Sequence, residues 1–185
     1  MTEPRLAAPE TLTPRQREVH DRIASGARGR VEGPLRVWLH SPELADRSQA
    51  LGAFCRYETR LPARLSELAI LVTGAVWKSG FEWAVHAPIA ERAGVSPDTI
   101  EAIRTGRSPS FSAESEDEAA VYEFSLALHR ERRVDDKTYA RLVAVIGSEG
   151  AVELVGILGY YTLISMTINT FAVPLPEGTE DPFPG

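Results

Sequence analysis

LPARLSELAILVTGAVWKSGFEWAVHAPIAERAG, residues 61–94, decides how this chain folds. Leu61-Pro62 opens a helix whose apolar residues, from Leu65 to Trp77, fall on every side of a 3.6-residue turn, so the helix is expected to be enclosed by others. Ser79-Gly80 interrupts it, and a second helix runs on from Gly80 to a stop at Gly94. If the interruption turns the chain back, the two helices pack antiparallel. Glu67 is the only charged residue between Arg64 and Lys78. A carboxylate buried in such a helix needs a partner or a proton, and His86 in the following helix is positioned to supply one.

Outward from this pair the punctuation is helical throughout, with few strand signals. Thr13-Pro14 starts a helix that ends near Ser25-Gly26, and a Gly- and Arg-rich loop, GARGRVEGPLR, follows. Ser41, Pro42 and Glu43 open HSPELADRSQALGAFCRY, with the carboxylate in the first turn where the helix dipole favours it. Ser96-Pro97 and Gly106 bracket a short helix. SAESEDEAAVYEFSLALHRERR begins acidic and ends basic, matching the dipole at both ends. VDDKTYARLVAVIG comes next, then the apolar helix 150–173, then an irregular tail over 174–185 with four prolines. The expected architecture is all-α, a single helical bundle spanning residues 1–185, without internal repeats.

Twenty-six acidic against 20 basic residues give a net charge of −6. That balance excludes a general binder of nucleic-acid phosphates, which needs clustered Lys and Arg. Cys55 is the single cysteine, so the chain by itself makes neither a disulfide nor a thiolate zinc cage, and a reducing cytoplasm is the expected location. MTEPRLAAPETLTPRQ has charges and prolines where a secretory signal needs an unbroken apolar run. Residues 150–173 are long enough to cross a membrane. However, Glu153, Asn169 and the hydroxyls from Thr162 to Thr170, with no flanking Lys or Arg, point to a core or oligomer-interface helix and no membrane partner.

The chemistry-bearing residues concentrate around WKSGFEWAVH, residues 77–86. On helical spacing Ser79, Glu82 and His86 fall within about 60° of one another. A carboxylate four residues before an imidazole raises its basicity and fixes its tautomer, whereas the same pair on a surface is a weak salt bridge. With Glu67 added, two carboxylates and one imidazole suit general acid and base work near neutral pH; a buried structural ion pair is the alternative. Trp77, Trp83 and Phe81 supply apolar walls or fill the core. His40, ahead of a helix start, lines a pocket or is a partly exposed loop residue, and His20 and His129 lie in charged helices and read as surface. One histidine with two carboxylates lacks the second histidine of common metal sites, so neither metal nor cofactor is expected.

The run LPARLSELAILVTGAVWKSGFEWAVHAPIAERAGVSPDTIEAIRTG resembles the core of the carboxymuconolactone decarboxylase family, which includes alkyl hydroperoxidase D. The likeness lies in a glutamate within an apolar helix, a variable pair of positions, a histidine, an Ala-Gly ending and a helix of Ser-Pro-Asp-Thr-Ile type. It is best over residues 35–131 and extends more loosely through GYYTLISMTINTFAVPLP. It implies an all-helical fold forming homo-trimers or hexamers, with the site near a subunit interface. In the peroxidase branch a Cys-x-x-Cys pair precedes the histidine; here those positions hold Ser79 and Glu82, which cannot form the redox disulfide. The decarboxylase branch, a cofactor-free lyase acting on a small carboxylated lactone or related acid, matches better. The resemblance then implies His86 as proton donor, Glu82 as the group orienting and charging it, and Glu67 as a relay carboxylate. Trp83, Trp77, Ser79 and His40 are expected around the substrate, with Arg36 or Arg56 gripping a carboxylate. An alkyl hydroperoxidase-like oxidoreductase and a non-catalytic ligand-binding oligomer of the same fold are the alternatives.

Overall fold

The computed structural model describes residues 3–184, and among them every regular element is helical. Helix α1 (Pro14–Ser25) starts on a capping box: the Thr13 hydroxyl accepts from the Gln16 amide at 3.3 Å while the Gln16 side chain accepts from the Thr13 amide at 2.9 Å. Helix α3 (Pro42–Tyr57) lies against α1, clamped from outside by Arg15, which pairs with Glu43 and Asp46 at 2.7 and 2.9 Å. The loop expected between these helices contains a further short helix, α2 (Pro34–Trp38). Gly33 precedes it with a φ of 55°, a left-handed turn that admits Pro34 at the first position. Burial of Leu35, Val37 and Trp38 gives the short helix a tertiary reason to form, and the Trp38 indole donates to Thr167 Oγ1 at 2.9 Å.

Helix α4 (Ala63–Val76) is the centre. Residues 65–74 are buried without a break, because three later helices, α5 (Gly80–Ala93), α7 (Glu116–Glu131) and α8 (Asp136–Phe171), each cover a different side of the helix. Leu68, Ala69 and Leu71 have no exposed surface at all. Each buried leucine contributes roughly 2 kcal/mol of transfer free energy. The chain then reverses through Trp77–Ser79, with Lys78 in the left-handed region at a φ of 48° and the Ser79 amide donating to the Gly74 carbonyl at 2.8 Å. Helix α5 (Gly80–Ala93) returns along α4 and stops at Gly94, whose φ of 105° suits glycine. A second tie fixes α4: Arg64 pairs with Asp117 at 2.6 Å and with Glu118, both in the acidic first turn of a later helix, α7.

Helix α6 (Pro97–Arg104) is capped by Ser96, which accepts from the Thr99 amide at 3.1 Å. After a single 3-10 turn, α7 (Glu116–Glu131) packs on α4. Helix α8 (Asp136–Phe171) begins at an Asp135 cap and is broken at Gly147, where φ 74° and ψ 171° leave the helical region, so the two helices expected there meet at that residue. Its second part is the expected long apolar helix. Leu154, Ile157, Leu158, Tyr161, Ile164 and Ile168 face the core, while Val152, Val155 and Met166 remain exposed. The helix is long and apolar enough to cross a membrane by length and composition, yet here one of its faces closes the core over α4. The tail over residues 172–184 has no regular structure but lies on the protein: Phe183 meets the Trp83 ring edge-on at 5.3 Å, and Arg104 donates to the Pro182 carbonyl.

Candidate functional site: a buried imidazole between two carboxylates

The reversal at Trp77–Ser79 brings Glu67, on α4, opposite His86, on α5. His86 Nδ1 lies 2.6 Å from Glu67 Oε2, and His86 Nε2 lies 2.9 Å from Glu82 Oε1, one turn earlier on the same helix. All three side chains are buried, with 2–5% exposure. Carboxylate oxygens accept, and a ring nitrogen facing one must donate to avoid opposing lone pairs. Because both nitrogens face carboxylates, the arrangement favours the imidazolium. Burial opposes that charge, but the charge of Glu82 and the hydrogen bond to Glu67 outweigh it and lift the His86 pKa to about 9.

Glu82 and His86 line a cavity of about 740 Å³ between α5, α8, the end of α3 and the loop before α2. Glu67 is not part of its wall and stands behind the imidazole. The wall combines apolar surface from Phe81, Ile89 and Ile164 with four guanidinium groups, Arg28, Arg30, Arg56 and Arg92, against the carboxylates of Glu32, Glu82 and Glu177. The excess of positive charge, increased by the imidazolium, favours an anionic occupant. Arg28 is held in place: its Nη2 donates to the Tyr160 hydroxyl at 3.0 Å, and its Nε is buried without a partner. Gly52 makes room for this pair, since a Cβ there would overlap both the Tyr160 hydroxyl and the Arg28 guanidinium. Among the described residues no group of three His, Cys, Asp or Glu is arranged to hold a metal ion.

Of the residues expected from sequence, Glu67, Glu82 and His86 come together and Arg56 reaches the cavity; Trp77, Trp83, Ser79, His40 and Arg36 do not line it. Ser79 precedes α5 with extended backbone, so helical spacing does not carry it to the face of Glu82; its hydroxyl is buried without a partner. Trp83 is one position, about 100°, around from Glu82 and packs on Phe183. His40 is exposed and bonds the Ala7 carbonyl, while Arg36 projects from the outer side of α2. His129 is half-buried rather than on the surface, with Nε2 2.9 Å from Thr73 Oγ1. The residues sequence reasoning missed are Arg28, Tyr160 and Tyr161. The GYYT run was visible as part of the apolar helix, but nothing local marked which way its rings face.

Comparison with known proteins agrees with the family resemblance. Residues 42–122 match the profile of the carboxymuconolactone decarboxylase family. No protein of the curated set matches. Several solved structures share the fold. An uncharacterized peroxidase-related protein from Ralstonia eutropha JMP134, described as an alkylhydroperoxidase AhpD core, superposes with a TM-score of 0.74 at 15% identity, covering 94% of this chain and 93% of its own. An uncharacterized peroxidase-related protein from Silicibacter sp. TM1040 gives 0.74 at 12% identity, covering 94% and 92%. The debrominase Bmp8 gives 0.69 at 16%, covering 89% and 87%. At these identities the likeness establishes the AhpD-like fold.

Proposed function

We propose that this chain, whose residues 42–122 match the profile of the carboxymuconolactone decarboxylase family, is a cofactor-free decarboxylase acting on a small carboxylated lactone or related acid. The observation that carries this reading is the imidazole held between two buried carboxylates at the wall of a cation-lined cavity. Loss of CO2 breaks a carbon–carbon bond and leaves its electron pair on the substrate, spread into a conjugated carbonyl. The site must tolerate that charge and then return one proton to carbon.

Contacts in the triad adjust the roles expected from sequence. Both ring nitrogens of His86 are engaged, and Glu82 shares the cavity wall, so Glu82 acts as a relay: the imidazolium of His86 passes its Nε2 proton to Glu82, which delivers it to the substrate carbon. Glu67 holds the imidazole from behind and stabilises its charge. Water then restores the proton, leaving the triad unchanged over one turnover. Arg28 and Arg56 supply charge for a substrate carboxylate.

A thiol peroxidase reading finds no support in the thiol. Cys55 is fully buried outside this site, and burial pushes its pKa up to about 11. Self-association is part of the proposal. Leu51, Phe54 and Tyr57 on α3 and Val152, Val155 and Met166 on α8 are apolar and exposed on two helices that pack together, a surface that a second copy would cover. The test is CO2 release from carboxymuconolactone. The wild-type chain is expected to turn it over and His86→Ala to lose at least about 100-fold. Wild-type activity in His86→Ala, or no turnover by the wild-type chain, overturns the reading.

A further inference from the structure

Two consecutive tyrosines on α8 line the cavity, and only one of them has a partner for its hydroxyl. Tyr160 accepts from Arg28. Tyr161 is 2% exposed, and its hydroxyl is buried with no hydrogen-bond partner in the protein. Its ring stands edge-on to His86, with centroids 5.1 Å apart and planes at 81°. Buried phenols ordinarily find an acceptor, because desolvating the group without one costs as much as losing a hydrogen bond. Phenylalanine would fill the same space beside His86 without that cost. An unpaired hydroxyl on a residue that lines the cavity, with its ring against His86, is explained by an acceptor that arrives with the ligand.

We propose that Tyr161 is a further catalytic residue, whose hydroxyl donates a hydrogen bond to the ligand oxygen that becomes negative as CO2 leaves; this rests on the decarboxylase reading of the same cavity. The group holds charge and does not surrender its proton. Burial, with the charges of Glu82 and Glu67 nearby, disfavours a phenolate and keeps the O–H as a donor. The proton for carbon comes from Glu82, so the two groups serve different atoms of one intermediate: Tyr161 the oxygen, Glu82 the carbon. Preorganised donors of this kind act best where water is excluded.

The experiment compares wild type with Tyr161→Phe in two assays, using 4-nitrophenolate as a planar, delocalised oxyanion probe and carboxymuconolactone as substrate. Tyr161→Phe is expected to keep or raise the melting temperature, to bind 4-nitrophenolate about 10-fold more weakly, and to lower kcat about 100-fold with a smaller change in KM. Unchanged probe affinity and unchanged kcat overturn the assignment while leaving the decarboxylase reading intact. Tyr161-dependent probe binding without any wild-type turnover retains the oxyanion site and discards that reading. A melting temperature lowered as by loss of a satisfied buried hydrogen bond, with probe affinity unchanged, makes the hydroxyl structural and also overturns the proposal.

Discussion

Replacing Glu67 by glutamine removes one charge from the triad while keeping the shape of the side chain and an oxygen that can accept from His86 Nδ1. In the wild-type protein the His86 pKa stands at about 9, against an ordinary value of 6.5. At about 1.4 kcal/mol per pH unit, that rise is on the order of 3 kcal/mol of preference for the charged ring in the folded state. A folded pKa above the unfolded one stabilises most at low pH: the contribution is complete below about 6.5 and disappears as pH climbs through about 9. In Glu67→Gln the burial penalty and the charge of Glu82 stay while the charge of Glu67 is gone, so the ring is expected to titrate lower than in the wild type. Guanidinium unfolding of both proteins at intervals from pH 6 to 10, with the imidazole signals followed by NMR, measures this. The wild-type unfolding free energy should fall across that range by roughly 3 kcal/mol. The variant should start lower at pH 7 and lose less stability across the same range, because part of the preference for the charged ring is already gone. Parallel curves, or a wild-type His86 that titrates near 6.5, would refute the charged-ring account.

Two further outcomes follow from the packing. Gly52→Ala should push Tyr160 and Arg28 apart, cost roughly 1–3 kcal/mol of stability and weaken binding of 4-nitrophenolate; unchanged stability and affinity would mean that the pair has room to shift. Cys55, buried and with its thiol held near 11, should resist thiol reagents at pH 7 in the folded protein and react fully once unfolded; rapid labelling of the native chain would place it at an accessible surface.

Much of this architecture was legible because helix ends announce themselves locally: Thr13-Pro14 and Ser96-Pro97 both cap helices where the sequence placed starts. Glu67 stood out for a global reason, a lone charge in a helix apolar on all sides, and the turn at Ser79 then required it to meet His86. The rest of the cavity was hidden because it is assembled from distant segments. Arg28 and Tyr160 are 132 residues apart in sequence, and their meeting depends on Gly52 in a third segment. Ser79 misled because helical spacing was applied one residue before the helix begins. Helix α2 was missed because five residues carry too little periodicity, and its stability comes from burying Leu35 and Trp38.

The proton path is tested most directly by running the decarboxylation of carboxymuconolactone in D2O with the wild-type chain and with Glu82→Gln. The account predicts CO2 release with one solvent deuterium on the product carbon for the wild type, and a rate at least about 100-fold lower for a folded Glu82→Gln. Glu82→Gln turning over at the wild-type rate, with the same deuterium content, would contradict it.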